Sequence, residues 1–206
     1  MTTNSPSLAP STIDPRPAFF SSVATACDVV AGVSPSQLHD PTPCSEFDVA
    51  GLLGHLVGVF RRVASVAAGT PAVGHVAPAA DVRDDDWAAT ARDAMREMER
   101  VWADPAVLGR EMQLPFGTMP GAAALAGYTG EISTHTWDLA VATGQSPVWD
   151  GEVLAAALTA VRRKLPMAQR PPEVPFADAV PVPDDAPAID RLVAWQGRDP
   201  AWRPAA

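Results

Sequence analysis

Cysteine is scarce in this chain. Only Cys27 and Cys44 occur among 206 residues, too few for the disulfide framework of a small secreted scaffold, so a reduced, cytoplasmic setting is expected. Basic residues are few as well: 15 Lys and Arg stand against 24 Asp and Glu, for a net charge of −9. Nucleic-acid binding needs clustered cations against phosphate. The densest runs here are Arg61-Arg62 and Arg162–Lys164, and no basic stripe forms. No apolar run reaches the roughly 18 uninterrupted residues of a membrane span. The opening MTTNSPSLAPSTID has neither a basic start nor an apolar centre, so it is read as a disordered tail and not a signal peptide. A Gly-rich phosphate loop, a nucleophile elbow, a CxxC pair and a fixed-period repeat are all missing. Nucleic acid and membrane are therefore not expected partners.

What is present is an apolar, helix-patterned chain. Hydrophobic residues make up 47%, enough for one domain with a real core. The 22 prolines gather near the N-terminus, around 41–43 and from Pro166 onward, punctuating helices instead of interrupting them. The expected organisation is a tail over 1–13, a helical-bundle domain over 14–165, and a Pro-rich wrapping segment with a short helix over 166–206.

Helical spacing of Phe19, Phe20, Val23, Ala26, Cys27 and Val30 predicts a first helix over 16–33. A second is predicted to start at Ser45, with Asp48 completing a capping box. Its buried stripe is Val49, Leu52, Leu53, Leu56, Phe60, Val63 and Ala67. After a loop at 70–83, a third helix starts at Asp84 and turns Trp87, Ala91, Met95, Met98 and Trp102 inward. Glu111–Met119 reads as a turn or hairpin. A fourth long helix over 120–142 carries Leu125, Tyr128, Ile132, His135 and Leu139, with Gly144 as its stop. Shorter helices are expected near 151–165 and 188–197. The fold class is all-α: a four-helix bundle with a short extended hairpin.

Three residues suggest chemistry. Glu131 and His135, four apart, lie on one helix face about a turn apart. His55 flanks the apolar stripe of another helix. Two imidazoles and a carboxylate make a three-ligand metal set with an open position. The rival reading is a core histidine bonded to a carbonyl, or a buried Glu–His pair. Asp138, three residues after His135, is placed either to hold the free nitrogen of that histidine or to pair with an arginine. Arg62, seven residues after His55, is a candidate for binding a substrate carboxylate, or else a solvated arginine. Cys44 is 11 residues before His55, ~16 Å along a straight helix. That distance excludes it from a shared metal and leaves it a packing role. Cys27 reads as core, and His39 and His75 fall in loops with no role assigned.

The segments TPCSEFDVAGLLGHLVGVFRR and GYTGEISTHTWDLAVATGQ together resemble the DinB/YfiT-like superfamily. Within it, the chain resembles the actinobacterial branch related to the mycothiol-dependent maleylpyruvate isomerase N-terminal domain and the mycothiol S-transferases. The resemblance extends from about Asp14 to Pro200. It implies a bundle holding a divalent metal on His55, Glu131 and His135: zinc first, with nickel or iron as alternatives. It further implies mycothiol as co-substrate, acting as a thiolate on a small electrophile in a transferase or isomerase reaction. The electrophile would come from detoxification or a natural-product route. The isomerases carry an additional C-terminal domain for which this chain has no room, and Val141 stands where relatives often have Arg. Two other readings stay open: a non-catalytic metal- or ligand-binding bundle, and a metalloenzyme of this fold that uses no thiol. Monomer and homodimer are equally compatible.

Overall fold

A computed structural model describes residues 14–72, 74–83, 86–115, 117–170 and 176–204. The expected tail over 1–13 lies outside them. Among the described residues the elements run α1 (Arg16–Ala31), α2 (Val49–Ala67), α3 (Trp87–Trp102), α4 (Ala106–Gly109), β1 (Glu111–Leu114), β2 (Gly117–Pro120), α5 (Gly121–Ala142), α6 (Gly151–Lys164) and α7 (Ala188–Trp195). A single 3-10 turn, Pro35–Gln37, follows α1. The hairpin pairs β1 and β2 antiparallel, from Glu111 opposite Pro120 to Leu114 opposite Gly117.

Helices α1, α2, α3 and α5 close a ring in which α5 packs on α1 and α2, and α3 packs on the same two. This is the expected four-helix bundle. Its core includes the fully buried Phe19, Leu52, Leu53, Leu56, Phe60, Met98, Trp102, Leu125, Tyr128, Ile132 and Leu139. Each large apolar side chain of this set contributes about 1.5–3 kcal/mol by leaving water. The polar edge of Trp102 is satisfied: its indole N–H donates to the Val63 carbonyl at 3.1 Å. Met95, expected to face inward, is only half-buried, and Ala94 is buried instead.

Two boundaries differ from expectation. The second helix starts at Val49, capped by Asp48, whose carboxylate accepts from the Gly51 N–H at 2.8 Å. Ser45 lies outside it in a closed loop: Pro41 and Asp48 form an antiparallel bridge, and the Thr42 hydroxyl sits 2.7 Å from the Phe47 carbonyl oxygen. The third helix starts at Trp87, with Asp84 and Asp85 outside the described residues. By length and composition α2 could cross a membrane, with mean hydropathy 1.4. That apolarity serves the bundle, because α2 packs against both α3 and α5.

Helix α7 lies on α5 and α6. A second, smaller core of Trp137, Leu154, Ala157, Leu158, Ile189, Leu192 and Val193 forms there. As a result α5 is covered on nearly every side.

Gly54 and Gly58 open a track on α2 for the 76–79 loop. The Ala79 N–H donates to the Gly54 carbonyl at 2.9 Å. A Cβ on Gly58 would lie 2.7 Å from the Ala77 carbonyl oxygen. Gly58→Ala is expected to destabilise the fold by about 1–3 kcal/mol. Gly151→Ala, with nothing within 4 Å of its Cβ position, should be neutral or stabilising by up to about 1 kcal/mol. Urea denaturation of both variants checks the contrast.

Burial pushes the Cys27 thiol up to about 11, with the charges of Arg92, Asp28 and Glu99 as smaller influences. The group is therefore protonated below that pH. Alkylation of Cys27 in the folded protein should rise with pH with its midpoint near 11. In urea it should follow the ordinary thiol range near 8.5. Mass spectrometry of iodoacetamide-treated protein reads both.

Candidate metal centre

Helices α2 and α5 bring His55, Glu131 and His135 together. One ligand atom from each lies within 4.8 Å of the others. The His55 Nε2 and Glu131 Oε1 atoms are 3.7 Å apart, too far for a hydrogen bond. Two ligands on one tetrahedral zinc, each about 2.0–2.1 Å from it, would be roughly 3.3 Å apart. The observed gap is thus close to one an ion would bridge. His55 and His135 rings meet edge-on at 4.7 Å, and Phe47 stacks on His55 at 5.1 Å.

The state of His55 bears on the metal reading and its rivals. Both ring nitrogens are buried, and neither makes a hydrogen bond among the described residues. No backbone carbonyl holds this ring; His135, for which the core-histidine reading was the alternative, meets Asp138 through its Nδ1. A buried polar group left without a partner costs about 1–3 kcal/mol and is uncommon. An imidazole that faces a carboxylate and a second imidazole with its nitrogens unmatched has the chemistry of a ligand.

Asp138 satisfies both of its expected alternatives at once. It is fully buried, and its Oδ2 lies 3.1 Å from His135 Nδ1. It also accepts from Arg198: from Nε at 2.9 Å on Oδ1, and from Nη2 at 3.1 Å on Oδ2. Burial works against the charged Arg198 guanidinium, but the Asp138 carboxylate outweighs it and raises the arginine's pKa.

Cys44 is buried, as a packing role expects. Its Sγ, one ligand atom of His135 and one oxygen of Asp138 lie within 4.8 Å of one another. It lies in the closed loop before α2 begins, so a straight-helix distance does not describe its place. Burial raises the Cys44 thiol's pKa, with Arg198 partly opposing. A second cation among Cys44, His135 and Asp138 would lie against the Arg198 guanidinium already on Asp138, so this cluster is poorly suited to a metal. Arg62 is partly exposed, and its guanidinium donates to the carbonyls of Gly74 at 2.9 Å and His75 at 2.8 Å. It anchors the loop after α2 and lies outside the three-donor cluster. Phe47 and Arg198 were missed altogether. Phe47 had a local signal, since the capping motif that places Asp48 also places its neighbour. Arg198 had none.

An all-α bundle with this short hairpin is of the DinB-like class. The family described as mycothiol maleylpyruvate isomerase N-terminal domain matches residues 21–140, and the chain belongs to that family. Two relatives from Mycobacterium tuberculosis, the uncharacterized proteins Rv0738 (strain H37Rv) and MT0763 (strain CDC 1551), are each 36% identical over 170 residues. The match covers 82% of this chain and 90% of each relative. Among solved structures, a mycothiol-dependent maleylpyruvate isomerase superposes with a TM-score of 0.56 at 12% identity. It covers 71% of this chain and 66% of its own, a likeness of fold.

The orphaned state of His55 generates a test on chelator-treated protein. His55→Leu removes an unmatched polar group and should leave stability unchanged or slightly raised. Asp138→Ala strands the buried Arg198 charge and should cost about 3–5 kcal/mol. Equal losses in the two variants would show that His55 is an ordinary structural histidine.

Proposed function

We propose that this protein is a metal-dependent enzyme joining a low-molecular-weight thiol, mycothiol, to a small electrophile, as a transferase or an isomerase. The observation that carries the reading is the unmatched imidazole of His55 facing Glu131 and His135. Membership of the mycothiol isomerase family supports the choice of thiol. The two imidazoles would donate lone pairs, and the Glu131 carboxylate would offset charge; this set suits zinc, with nickel and iron as alternatives. A divalent cation held there would supply the Lewis acidity that favours the thiolate form of a coordinating thiol at neutral pH.

The remaining work belongs to the chain. Phe47, stacked on His55, keeps water from one side of the imidazole. Asp138, 3.1 Å from His135 Nδ1, would keep the ring's proton on that nitrogen. Glu131 is the most exposed of the three donors, with 24% of its side chain accessible against 12% for His55 and 8% for His135, so substrates would approach along its side. The reaction served is attack of the thiol sulfur on a conjugated alkene, an epoxide or a carbon bearing a leaving group. We place this activity in the cytoplasm, where such thiols are kept reduced.

A second reading is a bundle that holds metal without turnover. A small ligand could also be held: a groove of about 540 Å³ lies between α2 and α3, lined by Arg61, Ser65, Asp93 and Glu97, away from the three donors.

Metal analysis of the purified protein decides first. About one divalent ion per chain is expected, falling to near zero in His135→Ala while the helical circular dichroism is retained. Mycothiol conjugation should then disappear with the metal and return on reconstitution. Conjugation that survives chelation would overturn the mechanism, and metal binding without product across thiol and electrophile screens would select the second reading.

A further inference from the structure

The sequence QGR at 196–198 grips α5 over successive turns. Gln196 Nε2 donates to the Gly130 carbonyl at 3.2 Å and to the Thr134 hydroxyl, and Arg198 holds Asp138 one turn further on. These contacts fall beside Glu131 and His135. Between them, Gly197 has φ +81, and a Cβ there would meet the Ala177 carbonyl oxygen at 2.6 Å. Only glycine fits that turn without strain.

The hydrogen bonding of Asp138 fixes where one proton sits. Arginine keeps its charge at every pH a protein survives and can only donate. Arg198, itself 9% exposed, donates to both Asp138 oxygens, so the carboxylate acts as an acceptor only. The hydrogen in the 3.1 Å contact with His135 therefore belongs to Nδ1. A neutral imidazole with its hydrogen on Nδ1 carries its lone pair on Nε2.

We propose that Arg198 is a positioning residue for the candidate metal centre. Reaching in from the C-terminal segment, it holds Asp138 so that His135 is locked in the Nδ1–H tautomer with Nε2 available as a ligand. The consequence for metal affinity rests on the metal reading above; the tautomer lock does not. A tail residue 60 positions from Asp138 in sequence thus becomes part of the site.

Two measurements test this separately. In metal-free protein carrying 15N-labelled histidine at pH 8, NMR reads the tautomer. Wild-type His135 should be Nδ1–H, and Arg198→Ala and Asp138→Asn should show a shift toward Nε2–H. Cobalt(II) titration reads the ligand. Arg198→Ala should bind cobalt about 10–100-fold more weakly with an altered visible spectrum, and Arg198→Lys should recover part of the loss. Gln196→Ala loosens the segment without touching Asp138 and should bind as wild type does. If Arg198→Ala does not fold, Arg198→Lys and Asp138→Asn carry the test. An unchanged tautomer or unchanged cobalt affinity in the Arg198 variants overturns the proposal. Equal losses in Gln196→Ala and Arg198→Ala overturn it as well, because Arg198 would then only dock the tail. A wild type that binds no cobalt would sink the metal reading, while the NMR comparison would still decide the tautomer lock.

Discussion

A carboxylate with no solvent exposure, in the middle of a helix covered on nearly every side, is the constraint around which this structure is arranged. Asp138 cannot stay ionised there unless partners replace the water it has lost. Arg198 and His135 are those partners. Meeting the requirement draws residues 196–198 onto α5 and seats α7 over a second small core. It also orients one of the three candidate donors. Tail docking, coverage of α5 and orientation of His135 are therefore consequences of one buried charge.

Close backbone approach does for α2 what charge does for α5. The loop at 76–79 lies across Gly54 and Gly58, while the closed loop at 41–48 presses Phe47 onto His55 from the other end. His55 is thereby held between Phe47 and the α5 residues Glu131 and His135. Among the described residues none offers it a hydrogen bond. Arg62 belongs to the same scheme, since its grip on the 74 and 75 carbonyls keeps the first of these loops down.

Periodic features were legible in the sequence, and pairings between distant segments were not. The stripes of α1, α2, α3 and α5 recur at helical spacing, so their cores could be named residue by residue. Glu131 and His135 were legible for the same reason, being one turn apart. His55 needed the helix it sits on, which was clear. The start of α2 was misplaced because Ser45 and Asp48 are both good N-cap residues, and choosing the earlier one straightens the segment that holds Cys44. Arg198 has no periodic signature at all: its partner is 60 positions away in sequence, and a guanidinium near a chain end reads as surface. Half-buried Met95 shows the limit of stripes alone, since a neighbouring small residue, Ala94, took the inward position.

The charges around His135 bear on what the open position would prefer under the proposed reading. Glu131 and Asp138 bring two negative charges and Arg198 one positive, while both imidazoles are neutral as ligands. The set is therefore negative by one before any ion binds. A divalent cation would reverse that to positive by one, in a pocket where unpaired charge is costly. An anionic fourth ligand would bring the balance to zero; a neutral one would leave the excess in place. Without Arg198 the same donors would be negative by two and a dication alone would neutralise them, removing the electrostatic reason to take up an anion. Under that reading, the arginine that reaches in from the tail would favour an anionic ligand, such as a thiolate, over a neutral one at the open position, and would do so through total charge.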